Sequence, residues 1–127
     1  MTKFYNILIE NRKDSRNINV ALSNFDGHTK FTEVNFKNNN STILGWSSIN
    51  NWNDLEKRDN TLYTYDTYDV NCVKFSSIFT EKKPIDLFVL DVEGHELEAL
   101  DGILEIEKQY YPVIFCIEYG HVDKDML

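Results

Sequence analysis

The stretch from Ile85 to Ile103 constrains this chain more than any other. An apolar run, Leu87-Phe88-Val89-Leu90, ends abruptly in the acidic cluster Asp91-Val92-Glu93-Gly94-His95-Glu96, and a helical pattern follows at once. After the punctuating Pro84, such a run reads as a strand over 85–91 buried on both faces. Gly94 then lets the backbone turn. Leu97, Leu100 and Leu104 recur at three- and four-residue spacing, which sets them on one face of a helix from about 95 to 108. Asp91 and Glu93 therefore stand where a parallel strand hands over to a helix. In open α/β sheets, ligands bind at that carboxyl edge of the strands.

The rest of the chain fits an alternating plan around this element. Phe4 to Glu10 reads as an amphipathic helix. Asn17 to Ser23 reads as a strand through Ile18, Val20 and Leu22. Asp26-Gly27 signals a turn, and Thr29 to Phe36 alternates like the second strand of a hairpin. Asn38 to Ser41 is a polar loop, and Trp46 to Lys57 is irregular or weakly helical. Tyr63 to Phe75, rich in Tyr, Thr and Val, reads as extended. Ser76 to Phe79 opens a short helix, and residues 112–118 read as a further strand. Strand, long crossover, strand, helix, strand predicts an α/β sheet with parallel members.

With 127 residues the chain suffices for one domain with a modest core. Its hydrophobic fraction of 42% is that of a globular protein, not a disordered one. A net charge of -8 repels phosphate backbones, and no basic patch offsets it, so a nucleic-acid partner is not expected. No leader pattern and no membrane-length apolar run is visible, so no membrane partner is expected either. Cys72 and Cys116 lie far apart, and Cys116 falls inside an apolar run as a buried free thiol. That usage points to a reducing, cytoplasmic setting.

The block from Asp86 to Glu96, continuing through Leu100-Asp101-Gly102, resembles the central motif of the FkbM family of methyltransferases. That motif is an apolar strand, then Asp-x-Glu-Gly-x-Glu, then a helix with Leu-x-Gly. Asn19 to Ser23 followed by Phe25-Asp26-Gly27 resembles the segment around the family's third strand. Pro112 to Glu118 resembles its fifth strand, which also ends in Glu. The resemblance spans about Asn17 to Glu118 and is loose over 37–80, where Gly45 with Ser47-Ser48-Ile49 is the best anchor. It implies a Rossmann-like fold with a mainly parallel sheet, binding S-adenosylmethionine and methylating a hydroxyl of a small molecule or sugar. The family's Gly-rich cofactor turn has no counterpart, since the five glycines at 27, 45, 94, 102 and 120 form no G-x-G. Residues 1–127 are thus expected to be a single partial domain lacking the first strands and the last, incomplete at both ends. A non-catalytic remnant or assembly partner binding through exposed sheet edges is the competing expectation, as a homodimer or with a complementary chain.

On this resemblance Asp91, Glu93, His95 and Glu118 are the candidate catalytic residues. Asp91 or His95 would take the acceptor's proton, and Glu93 and Glu118 would hydrogen-bond the acceptor. Ala21, Leu22 and Ser23 fall at the expected adenine edge of the cofactor. Each has a plainer reading. Acidic residues at a helix start cap free N–H groups and complement the helix dipole, and a strand end of Ala, Leu and Ser is ordinary core and turn. Ser47, Ser48 and Trp46 stand as weaker candidates for an acceptor pocket. Tyr63, Tyr65 and Tyr68 form an aromatic stripe near Trp46 and Trp52 that suits sheet packing better than sugar stacking. Two carboxylates one residue apart do not make a metal site, and no metal is expected.

Overall fold

The computed structural model of the chain describes residues 2–38, 42, 47–49 and 61–118. Gly45, Trp46, Trp52 and most of the 46–57 segment lie outside the described residues. Helix α1 spans Thr2–Asn11 and the strands are β1 (Ala21–Leu22), β2 (Gly27–Phe36), β3 (Tyr63–Val73), β4 (Leu87–Leu90) and β5 (Ile114–Ile117). Helices α2 (Phe75–Ile78) and α3 (Glu96–Leu104) flank β4, and a 3-10 turn covers Lys108–Tyr110. Among the described residues no helix is long and apolar enough to cross a membrane.

The strands form two sheets, ordered β1-β3-β2 and β4-β5. β1 runs parallel to β3, and β4 runs parallel to β5. The longest ladder, however, is antiparallel, from Gly27 opposite Cys72 to Phe36 opposite Tyr63. The three-stranded sheet is therefore mixed and the two-stranded one parallel, and the described strands do not form one mainly parallel sheet. The hairpin expected between 17–23 and 29–36 does not form. The chain reverses at Asp26-Gly27, runs out along β2, and returns along β3, which takes the place between β2 and β1.

The strand expected over 17–23 shrinks to two residues because Asn17 is committed elsewhere. Its side-chain amide donates to the Arg12 and Ser15 carbonyls at 2.9 and 3.0 Å, and its own carbonyl accepts from the Tyr5 hydroxyl. A side chain that bonds local backbone in this way competes with a ladder. Asp26 does more than turn the chain. Its carboxylate accepts from the Lys74 N–H at 2.9 Å and the Ser77 hydroxyl at 2.7 Å, tying the turn to the start of α2. The Ser77 hydrogen bond is the main cause that holds the Asp26 carboxyl below its usual range, with the Lys74 N–H next.

The core lies where α3 meets β4. Leu90, Ala99 and Ile103 are buried together, with Leu22, Phe75, Phe88, Val92, Leu100 and Phe115 packed around them. Phe75 meets Phe88 edge to face at 5.0 Å, and Lys74 pairs with Glu105 at 2.6 Å to hold α2 against the end of α3. Gly102 explains how close the packing is. A Cβ at that position would stand 2.1 Å from the Ser23 carbonyl oxygen, so only glycine lets α3 cross β1's end. One helix thus rests on both sheets.

Three burial expectations need correction. β4 is covered on one face only, since Leu87 and Val89 are 54% and 63% exposed. A uniformly apolar strand carries no record of which face is covered, and only Phe88 and Leu90 alternate toward α3. Cys116 lies opposite Val89 on the same bare side and is exposed, while Cys72 is the buried thiol. On α3 the inward positions are Glu96, Ala99, Gly102 and Ile103, whereas Leu97 and Leu104 are exposed. The small residues face inward because the approach is close, and the leucines flank it. The tyrosines do not make one stripe either. Tyr63 meets Phe36 on one face of the ribbon, and Tyr68 meets Phe31 on the other, as two-residue alternation requires.

Candidate functional site

The acidic turn is built from β4 and β5 upward. Leu90 pairs with Ile117 in parallel register, and the Glu118 N–H donates to the Leu90 carbonyl at 3.0 Å. The next residues along each strand, Asp91 and Glu118, are therefore brought side by side. Glu93 swings in from the turn. The ligand oxygens of Asp91, Glu93 and Glu118 all lie within 4.8 Å of one another, with Asp91 exposed and the other two half-buried.

The turn itself is unusual backbone. Glu93 has φ 55° and Gly94 has φ 90°, two consecutive left-handed residues. Glycine adopts that region freely, but glutamate does so at a cost. Glu96 compensates. Its carboxylate, only 3% exposed as a residue, accepts the N–H groups of Val92 and Gly94, each at 3.1 Å. A charged acceptor on two backbone donors is among the stronger hydrogen-bond arrangements. On the other side, the Ser48 hydroxyl donates to the Glu93 carbonyl at 2.8 Å, and Ser48 in turn bridges β2 at Thr32. Ser47 is buried, its hydroxyl accepting the Val34 N–H at 3.2 Å. The two serines therefore fasten the ribbon to the turn.

His95 engages Ser23 and Glu98. It is 6% exposed, its Nε2 lies 2.9 Å from the Ser23 hydroxyl, and its Nδ1 lies 3.5 Å from a Glu98 oxygen. Burial holds its pKa below the usual value, against the opposing pull of Glu98 and Glu96. Serine, histidine and glutamate in this order copy the layout of a nucleophilic triad. Ser23 is 0% exposed, however, so no substrate carbonyl can reach its oxygen. The three residues act as a latch between β1 and α3. Their sequence separation of 72 residues between Ser23 and His95 hides the latch from pattern reading. Only the His95–Glu98 half, three residues apart on a helix, is visible beforehand.

Of the sequence-derived candidates, the structure gathers Asp91, Glu93 and Glu118 and sets His95 apart with Ser23. Ala21 and Leu22 are half-buried on β1, with Leu22 packed against the core. Glu96, which organises the turn, stood in the motif but without an assigned role. The trio offers only acceptor oxygens. It can take hydrogen bonds from hydroxyls or balance a positive charge.

A strand ending in an acidic turn that opens a helix, with the neighbouring parallel strand adding a carboxylate, is the edge at which open α/β sheets bind ligands. The chain belongs to the FkbM methyltransferase family, for the family described as "Methyltransferase FkbM domain" matches residues 4–126. Comparisons with curated proteins and with solved structures return no match.

Proposed function

We propose that the chain carries the acceptor side of an S-adenosylmethionine-dependent O-methyltransferase acting on a hydroxyl of a small molecule or sugar. The observation that supports it is the convergence of Asp91, Glu93 and Glu118 at the carboxyl ends of two parallel strands. In this reading β1 and β4, which lie in separate sheets and both rest on α3, are parts of a Rossmann-like fold. When bound, S-adenosylmethionine supplies an activated methyl on a sulfonium, and the carboxylate trio fits that cationic centre by charge. Ala21 and Leu22 would hold its adenine by apolar contact. Ser23, buried against His95, supports the strand end behind them. Asp91, the exposed member, accepts the proton of the acceptor hydroxyl, and Glu93 and Glu118 orient that hydroxyl. His95 positions the turn through its latch. Two free thiols, Cys72 and Cys116, accord with action in a reducing cytoplasm.

The test is Asp91→Asn, assayed for methyl transfer to a hydroxyl acceptor that the wild type turns over. Turnover falls about 100-fold, the usual scale for loss of a general base, with the thermal midpoint unchanged. Full activity in a folded variant removes Asp91 from proton transfer.

A second reading rests on the bare face of β4 and β5, where Leu87, Val89 and Ile114 are exposed. There the chain is an assembly partner whose sheet is covered by another copy or a complementary chain. A monomer by light scattering at high concentration, with methyl transfer intact, discards it.

A further inference from the structure

Ser47 and Ser48 read as weaker candidates for an acceptor pocket, yet the structure buries both, at 8% and 1% exposed. Ser48 is locked to β2 through its backbone, exchanging two hydrogen bonds with Thr32 at 2.9 and 3.1 Å. Ser47 fastens the same segment to β2 through the Val34 N–H. From that fixed backbone the Ser48 hydroxyl donates to the Glu93 carbonyl at 2.8 Å. The N–H at the far side of the same peptide unit, that of Gly94, donates to the Glu96 carboxylate at 3.1 Å. The Glu93–Gly94 peptide is therefore gripped at both poles, by β2 through Ser48 and by α3 through Glu96.

A peptide unit is planar, so it turns over only as a whole. Turning this one over changes the backbone angles of Glu93 and Gly94 together. Glu93 already sits at φ 55°, a region that glutamate enters at a cost. Such a conformation persists only where its surroundings over-determine it. Asp91 and Glu118 directly follow paired strand residues, whereas Glu93 comes from the turn. Its carboxylate meets the other two only while the turn keeps this shape.

We infer that Ser48 is a positioning residue for the acceptor: its hydroxyl fixes the Glu93–Gly94 peptide and so keeps the Glu93 carboxylate beside Asp91 and Glu118. The inference rests on the acceptor-site reading proposed above. It makes the β2–β3 ribbon part of the site's support, although no ribbon residue belongs to the trio.

The experiment compares Ser48→Ala with the wild type by two readouts. In NMR, a residue at positive φ gives a strong intraresidue amide–Hα NOE, because that conformation brings the two protons together. The wild type shows it at Glu93, and Ser48→Ala weakens it there while the amide signals of β2 and α3 stay in place. In methyl transfer to a hydroxyl acceptor that the wild type turns over, Ser48→Ala raises the acceptor KM about tenfold, the scale of one hydrogen bond to a charged group. The KM for S-adenosylmethionine stays unchanged, which a general loosening of the fold would not allow. Should Ser48→Ala fail to fold, Ser48→Cys, whose thiol is a weak donor of nearly the same shape, shows both changes in smaller measure. A Glu93 signature that persists at full strength in folded Ser48→Ala overturns the inference. So does an unchanged acceptor KM, or a KM that rises equally for both substrates. Absence of methyl transfer by the wild type removes the acceptor reading instead, and the Glu93 signature then decides the peptide grip by itself.

Discussion

The β2–β3 ribbon and the turn between β4 and α3 are held by opposite means. Along the ribbon, each cross-strand pair adds a small contact: Lys30 with Asp69, Thr32 with Thr67, Asn35 with Asp66, Phe36 with Tyr63. Such pairs contribute roughly 0.2–1 kcal/mol each and back one another up. The turn depends on a few specific contacts. Glu96 supports two backbone N–H groups, Gly102 admits the helix, and His95 latches onto Ser23. The ribbon's register is specified by many pairs, whereas the turn's geometry rests on a few contacts.

Gly102→Ala puts the contrast to its hardest test. The new Cβ meets backbone, which cannot swing aside, so α3 must lift from Ser23. The expected loss is about 3 kcal/mol, the upper range for overpacking, read by denaturant unfolding. A loss below about 1 kcal/mol would show that α3 shifts freely and that the turn is less constrained than the ribbon.

Glu96→Ala comes next. It strips two N–H groups of their acceptor and costs about 2 kcal/mol. Glu96→Gln, which keeps a carbonyl oxygen in the same place, recovers about half of that. If both variants match the wild type in chemical denaturation, Glu96 does not organise the turn.

Acid provides a smaller and reversible perturbation. The His95 pKa is held below its ordinary value of 6.5 in the folded chain, chiefly by burial. Between the folded and unfolded values the unfolded chain binds the extra proton, so stability rises with pH across that window. The His95 contribution is complete above 6.5 and is lost as pH falls through the folded pKa. Unfolding curves of the wild type should therefore weaken from pH 7 toward 5, while His95→Gln stays flatter over the same span. Parallel curves would release His95 from the latch.

The smallest effect is expected in the ribbon. Lys30 and Asp69 pair at 2.8 Å with their side chains 62% and 65% exposed, so Lys30→Met should change stability by no more than about 0.5 kcal/mol. A larger loss in a thermal melt would mean that the ribbon is as singly determined as the turn.

The same contrast marks what could be read from the residues alone. The strand–turn–helix unit was legible because its signals are local: an apolar run, a glycine, then helical spacing. Asp91 and Glu93 came with it, and Glu118 followed from the end of the last strand. The ribbon's partners were not legible, because β2 finds β3 across an intervening segment of some 26 residues, 37–62. The nearer strand with a turn signal at Asp26-Gly27 looked equally good. Exposure of Leu87, Val89 and Cys116 was hidden by a run that is apolar at every position. Ser23's partnership with His95 is a tertiary contact with no local trace.

The crossing of α3 over both sheets has a kinetic side. A helix that touches the end of β1 at Gly102 and the core of β4 at Ala99 and Ile103 makes the two sheets open together or not at all. Amide protons of Leu22, Ser23, Leu90 and Ile103 should exchange with solvent as one slow class. Those near Phe36 and Tyr63, at the ribbon's far end, should exchange sooner by fraying. The acidic turn sits inside the slow unit, so its carboxylates keep their places while the periphery breathes.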